Sequence, residues 1–106
     1  MTGKNVKAAK ASKPYRAADY LQTEADVTAY LQAALEEGDA RVITIALRDV
    51  AGASGGVGEL ARKTGLSRET LYRTLSPRGN PRLDTLATLL RAFHLRLTVV
   101  PVDEAA

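Results

Sequence analysis

The chain has 106 residues, which is enough for one modest globular domain and too few for two. It has no cysteine and only one histidine, so disulfide frameworks, thiolate chemistry and multi-histidine metal sites are excluded. No apolar run is long enough to cross a bilayer and the N-terminus has no signal-peptide core, so we expect a cytoplasmic protein without membrane contact, metal or cofactor.

The net charge of +3 is distributed in three blocks of alternating sign. Residues 1–16 carry five bases and no acid, residues 17–40 carry six acids and no base, and residues 41–102 carry ten bases against four acids. A basic block on a folded domain suits a polyanion, because each neutralised phosphate releases condensed counterions. Charge alone favours the other reading, an ordinary solvated surface.

Composition divides the chain into a basic tail (1–14), a domain (15–102) and a short second tail (103–106). The first tail is rich in lysine and alanine and lacks large apolar side chains, so we expect it to be disordered. Two roles remain open for it: solubilising the protein, or adding contacts to phosphate or a partner.

The first two predicted helices are marked by their caps. Thr23 is a candidate N-cap with Asp26 three residues later, and Gly38 is a natural stop. Asp39 can cap the second helix, which we expect to end at the turn-forming residues 52–56. The apolar positions at helical spacing are Val27, Tyr30, Leu31, Ala34 and Leu35, followed by Val42, Ile43, Ala46, Leu47 and Val50.

Three more helices and a strand are predicted in the second half. Two short helices, over about 58–64 and 68–75, are separated by Gly65-Leu66-Ser67, and a loop covers 76–80. Asn80-Pro81 reads as an N-cap followed by proline at the first helical position. The fifth helix is expected to bury Leu83, Leu86, Leu89, Leu90 and Phe93 and to end near His94, which would be a dipole partner or a packing residue. Residues 96–101 alternate and are β-branched, so the predicted fold is mainly α, with five helices and one C-terminal β-strand.

The segment 59–75 has the features of a helix-turn-helix. Gly65 can take the left-handed conformation that ends the first helix, and Leu66 can plug the corner. Ser67 can cap the second helix, while Leu71 and Leu75, four residues apart, fasten it to the core.

Fastening by these leucines turns a polar face of the second helix outward. The N-terminal side chains of such a helix meet base edges in the major groove, where arginine pairs with guanine. Arg68 and Arg73 are candidates for that contact, Thr70 and Tyr72 suit phosphate or a thymine methyl, and the loop brings a second backbone clamp close by. The predicted DNA-binding residues are Ser67, Arg68, Glu69, Thr70, Tyr72, Arg73, Arg78, Asn80 and Arg82.

Several motifs in order resemble one known family, the antidote (antitoxin) proteins of bacterial type II toxin–antitoxin addiction modules with a Cro/CI-type helix-turn-helix. The resemblance covers about residues 15–101 and rests on Asp19–Leu21, Tyr30–Asp39, Leu60–Tyr72, Leu75–Pro81 and Leu95–Val99. One departure is Val57-Gly58, where such motifs usually offer a polar residue that caps the first helix and touches phosphate.

The resemblance implies a five-helix Cro/CI-like domain that represses its own operon by binding operator DNA. It also implies a partner, a small basic RelE/ParE-like toxin that the antidote holds inactive. The toxin surface is open between two readings that are not exclusive: the acidic segment beginning Asp19, Tyr20, Glu24 and Asp26 attracts the toxin, or its acids are simply solvated.

The last predicted strand constrains assembly because a lone strand leaves backbone groups unpaired. Pairing of Arg96, Leu97, Thr98, Val99 and Val100 with a two-fold copy would close a homodimer and set two recognition helices at successive half-sites. Pairing with residues 15–21 of the same chain is the competing arrangement.

We do not expect an enzyme, because the chain has no cysteine nucleophile, no glycine-rich phosphate loop of the right pattern and no convincing histidine–carboxylate pair. Two alternatives to the antidote remain: a stand-alone Cro/CI-type repressor without a toxin, and an interaction domain that has lost DNA binding.

Overall fold

The structure, a computed structural model, describes residues 19–103. This part of the chain contains five helices: α1 (Glu24–Glu37), α2 (Ala40–Ala53), α3 (Gly56–Thr64), α4 (Arg68–Thr74) and α5 (Leu83–Ala92). The prediction of a mainly helical fold with five helices is therefore confirmed. The predictions for the tail 1–14, for residues 15–18 and for residues 104–106 lie outside the described residues.

The ends of α1 and the start of α2 follow the predicted caps. The Thr23 hydroxyl accepts the Asp26 N–H at 3.0 Å, and the Asp26 carboxylate accepts the Thr23 N–H at 3.1 Å, which completes a capping box. Gly38 ends α1 in the left-handed region, with φ of 79°. Asp39 then caps α2 by accepting the Arg41 N–H at 2.8 Å.

Hydrogen bonds from backbone N–H groups stabilise the charged form of the Asp26 carboxylate. It accepts the Gln22 N–H at 3.0 Å as well as that of Thr23, and these bonds hold the pKa of Asp26 below its ordinary value. Asp26 is thus committed to the start of α1.

The core lies where α3 meets its neighbours. The third helix contacts α2, α4 and α5, while α1 packs on α2. Each helix contributes apolar side chains, mostly leucine, at the helical spacing that places them on one buried face. The buried apolar residues are Leu21, Leu31, Ala34, Ala46, Leu47, Val50, Ala51, Leu60, Leu71, Leu75, Leu89, Leu90 and Phe93.

Two polar contacts fix α2 between its neighbours. The Tyr30 hydroxyl of α1 donates to the Asp49 carboxylate at 2.5 Å. Thr44 is the buried polar residue of the described chain, and its hydroxyl lies 2.9 Å from the Ala40 carbonyl and 3.4 Å from that of Gly79. Thr44 therefore joins the middle of the fold to the loop that follows α4.

Two predicted boundaries were wrong, whereas the second helix ends at Ala53, within the turn-forming residues 52–56 as predicted. Within that segment Gly55 and Gly56 take positive φ. The third helix accordingly starts at Gly56 rather than at residue 58. The fifth helix starts at Leu83, two residues later than Asn80-Pro81 predicts.

The late start of α5 has a tertiary cause. Arg82 occupies the N-cap position in an extended conformation, without a side-chain cap. Gly79 packs tightly against the end of α4, and residues 80–82 are needed to connect that point to the start of α5. Leu83, expected to be buried, is instead 72% exposed because it begins the helix at the surface.

The predicted C-terminal strand is absent from the described chain. Residues 95–103 have no regular secondary structure, and no segment within residues 19–103 pairs with Arg96–Val100 in a ladder. A strand requires a neighbour for its N–H and C=O groups, and alternation in the sequence cannot supply one.

Candidate nucleic-acid interface

The turn between α3 and α4 has the predicted geometry. Gly65 ends α3 with φ of 78°, and its N–H donates to the Ala61 carbonyl at 2.9 Å. The Thr64 hydroxyl accepts the Leu66 N–H at 3.1 Å, which holds the half-buried Leu66 against the core. Ser67 caps α4 by accepting the Thr70 N–H at 3.0 Å.

Leu71 and Leu75 orient the short helix α4. Leu71 is 0% exposed and Leu75 is also buried, so one side of α4 is fixed in the core. Tyr72 is 62% exposed, and Arg73 is exposed beside it. Burial of the leucines thus directs the tyrosine and arginine into solvent, as the sequence predicts.

The Ser67 and Thr70 side chains at the start of α4 are hydrogen-bonded to each other. The Ser67 hydroxyl donates to the Thr70 hydroxyl oxygen at 2.9 Å and already accepts the Thr70 N–H. The two hydroxyls therefore satisfy each other within the turn, with Thr70 half-buried and Ser67 exposed.

Arg68 lies against the first turn of α3. A Cβ built on Gly58 would lie 3.0 Å from Nη2 of Arg68 and 3.5 Å from its Cζ. The guanidinium therefore occupies the space that a side chain at position 58 would take. This contact between the two helices is not visible in the sequence, where only the missing polar side chain at Gly58 stands out.

The acid that follows Gly58 in the sequence is paired with another arginine. Nε of Arg62 donates to Oε1 of Glu59 at 3.1 Å, and Nη2 donates to the second carboxylate oxygen. This paired hydrogen bonding lowers the pKa of Glu59 and raises that of Arg62. Arg68 and Arg73 make no ion pair with any residue in the range 19–103, so their charges remain available.

The loop after α4 presents a second set of polar side chains. Gly79 donates its N–H to the Ser76 carbonyl at 2.8 Å and lies tight against the end of α4. Arg78 and Asn80 on either side of it are exposed. Nε of Arg82 lies 3.5 Å from Oδ1 of Asp84, a contact between two largely exposed side chains, so it competes weakly with a phosphate.

Sequence reasoning missed Arg48 on α2. Its Nη1 donates to the Leu75 carbonyl at 3.4 Å, and it lines an apolar groove beside Tyr72. The available signal was its place on the outward face of α2, where Arg41, Ile45 and Arg48 follow one another at helical spacing and are all exposed. Arg48 thus belongs beside the carboxyl end of α4.

A protein family matches most of this chain. The family described as "Probable addiction module antidote protein" matches residues 11–101. The chain belongs to this antidote family. A relative from Haemophilus influenzae, whose printed name is "Uncharacterized protein", is 36% identical over 87 residues, which span 82% of this chain and 89% of the relative. No solved structure matches the chain.

The predicted toxin-binding residues of the antidote lie together around the start of α1. Tyr20 is 52% exposed and Asp19 is exposed beside it. Nδ1 of His94 lies 2.7 Å from Oε2 of Glu24, so the expectation that the chain has no histidine–carboxylate pair was wrong, and the exposed His94 is not a packing residue. Asp26 is held in the capping box, so it and Glu24 are already engaged within the domain.

The predicted dimerisation residues of the antidote are exposed. Leu97, Val99 and Val100 are large apolar side chains in solvent, and Val99 is 93% exposed. Arg96 and Thr98 are exposed as well. This stretch therefore presents exposed apolar and polar side chains together.

The described part of the antidote, residues 19–103, has neither a membrane-spanning helix nor a metal-binding cluster. Its helices include none with the length and apolar character needed to span a membrane. Residues 19–103 also contain no group of three or more His, Cys, Asp or Glu side chains arranged to hold a metal ion.

Proposed function

We propose that this antidote binds and neutralises a cognate toxin and that it binds operator DNA through α3 and α4, a Cro/CI-type helix-turn-helix, to repress its own operon. The observation that supports DNA binding is the capped helix α4, fixed by Leu71 and Leu75, with Tyr72 and Arg73 in solvent. We propose that it acts in the cytoplasm by binding alone, without an enzymatic step or a cofactor.

In this proposal α4 enters the major groove and α3 crosses the DNA backbone. Arg73 is the side chain proposed to pair with guanine, because it is exposed, has no acid partner in the described chain and, unlike Arg68, does not have its guanidinium against Gly58. Tyr72 and Thr70 lie beside it for phosphate or a thymine methyl. Arg78, Asn80 and Arg82 form the second backbone clamp from the following loop.

A binding titration with matched variants tests the DNA part. Fluorescence anisotropy on the DNA upstream of the gene and on a scrambled duplex should show tighter binding to the upstream DNA, as a specific site requires. Arg73→Ala should cost about 1–3 kcal/mol on the specific duplex and less on the scrambled one. Arg91→Ala removes the same charge from the exposed side of α5 and should change little. Equal affinity of the unaltered protein for both duplexes would contradict the proposal.

The same function is best served by a homodimer, since two recognition helices are needed for successive half-sites. Residues 96–100 are the proposed contact, because they are exposed and no ladder partner lies within residues 19–103. Antiparallel pairing about Thr98 would set Leu97 of each copy opposite Val99 of the other. Val99→Lys should then give a monomer in analytical ultracentrifugation while Val102→Lys, outside the contact, does not; a dimer that survives Val99→Lys would reject this interface.

The toxin part of the proposal concerns a small basic RelE/ParE-like protein and the surface at Asp19 and Tyr20. The family description supports a toxin partner in general, and the acidic start of the domain supports a basic one. Co-expression with the product of the neighbouring gene, followed by purification through one partner, should recover both. Asp19→Asn with Tyr20→Ala should reduce recovery, and Glu36→Gln with Glu37→Gln at the other end of α1 should not. Absence of any complex would favour a stand-alone repressor.

A further inference from the structure

We propose that Arg68 is a phosphate-contacting residue whose position is set by Gly58, and that it does not read bases. The inference rests on the proposed DNA binding and assigns a role to one residue of that interface. It is carried by the packing of the Arg68 guanidinium on Gly58.

The position of the guanidinium separates Arg68 from the base-reading face. Its Nη2 would lie 3.0 Å from a Cβ at position 58, so the end of the side chain is turned toward α3. In a helix-turn-helix the first helix crosses the backbone while the second reads the groove. A guanidinium that lies against α3 is therefore placed to contact phosphate, whereas the Arg73 side chain extends into solvent from the exposed face of α4.

The guanidinium is also electrostatically available at that place. The neighbouring carboxylate of Glu59 is held by two hydrogen bonds from Arg62, and Arg68 has no ion pair within residues 19–103. Its five N–H donors match phosphate oxygens in a planar fork. Arg68 thus supplies from α4 the polar group that Gly58 lacks.

The absence of a side chain at Gly58 is what this arrangement requires. The Gly58 backbone has no positive φ, so alanine is conformationally allowed there and should favour the helix. The only close neighbours of the added methyl are the terminal atoms of Arg68. Gly58→Ala therefore displaces the guanidinium without opposing the fold.

Anisotropy titrations over a series of salt concentrations test the inference on the unaltered protein and on Arg68→Ala, Gly58→Ala and the double variant. Arg68→Ala should weaken binding to the upstream and scrambled duplexes by the same factor, about tenfold for one charge-assisted hydrogen-bonding contact. It should also reduce the slope of log K against log salt by about 0.9, as expected for one phosphate. Gly58→Ala should weaken binding to both duplexes, and this effect should vanish in the Arg68→Ala background.

Matched controls separate the outcomes. Gly52→Ala also adds a methyl to a helix, with nothing within 4 Å, and should leave binding unchanged. A loss on Arg68→Ala confined to the upstream duplex would overturn the inference and leave the proposed function intact. A Gly58→Ala effect that persists without Arg68, or no effect at all, would also overturn it. Failure of the unaltered protein to bind either duplex would reject both proposals.

Discussion

Replacing Gly79 by alanine should disrupt the loop that carries Arg78 and Asn80. A Cβ at position 79 would lie 2.0 Å from the Thr74 carbonyl oxygen and 3.0 Å from that of Arg73. These are backbone atoms of α4 and its end, so no side-chain rotation can relieve the overlap. The loop must move by about an ångström or more to restore contacts of ordinary length.

The cost of that movement follows from the contacts it strains. Overpacking alone typically costs about 1–3 kcal/mol. Displacement also weakens the hydrogen bond from Gly79 N–H to the Ser76 carbonyl, at 2.8 Å, which is worth about 1 kcal/mol. We therefore expect Gly79→Ala to lower the free energy of unfolding by about 2–4 kcal/mol.

Urea unfolding followed by circular dichroism, at one fixed protein concentration, measures this difference. Gly52→Ala is the matched control, because Gly52 lies in α2 with open space around it. It should stabilise the protein by up to about 1 kcal/mol, since alanine favours a helix over glycine. A Gly79→Ala protein within about 0.5 kcal/mol of the unaltered chain, the range of ordinary surface substitutions, would refute the reasoning.

Three further predictions follow from local contacts. Leu71→Ala should lower the free energy of unfolding in urea by about 2–5 kcal/mol, because Leu71 is buried. It should also abolish binding to the upstream duplex even at temperatures where the chain is folded, because Leu71 holds α4 in place. Retained binding would argue against that role. The pKa of Asp26 is lowered in the folded chain, so its carboxylate stabilises the fold above the ordinary pKa of 3.8, and this stabilisation is lost as the pH falls below that value. Asp26→Asn should therefore be less stable than the unaltered chain at pH 6 and should lose less stability between pH 6 and pH 3. Parallel plots of unfolding free energy against pH for the two proteins would contradict this. His94 takes a left-handed φ of 67° after α5, a conformation that glycine adopts without strain. In a Glu24→Gln background, which removes the carboxylate partner of His94, His94→Gly should raise the free energy of unfolding by about 1 kcal/mol. A lower free energy of unfolding would show that this conformation carries no strain.

The sequence predicted well where structure depends on neighbours a few residues apart. The capping box at Thr23, the left-handed stop at Gly65 and the serine cap of α4 are local hydrogen-bonding patterns, and each is confirmed. The burial of Leu71 and Leu75 follows from their spacing and from the need to cover one face of α4. These elements are sufficient to orient the candidate interface.

Prediction from the sequence failed where the structure depends on contacts between residues far apart in the chain. Asn80-Pro81 has the pattern of a helix start, yet Gly79 is held against α4 and residues 80–82 are needed to span to α5. The predicted strand at Arg96–Val100 depends on a partner that the described chain does not contain. The position of Arg68 on Gly58 joins two helices across the turn, and residue identities alone do not show on which side of α4 so long a side chain lies.

The most direct test of the central claim is a map of backbone amide shifts in isotope-labelled protein as the upstream duplex is added. We expect the changes to be concentrated at residues 67–73 and 78–82, with smaller effects at Gly58 and Arg48 and none in α1. Changes centred on α1, or none at saturating duplex, would contradict the assignment of α4 as the DNA-reading helix.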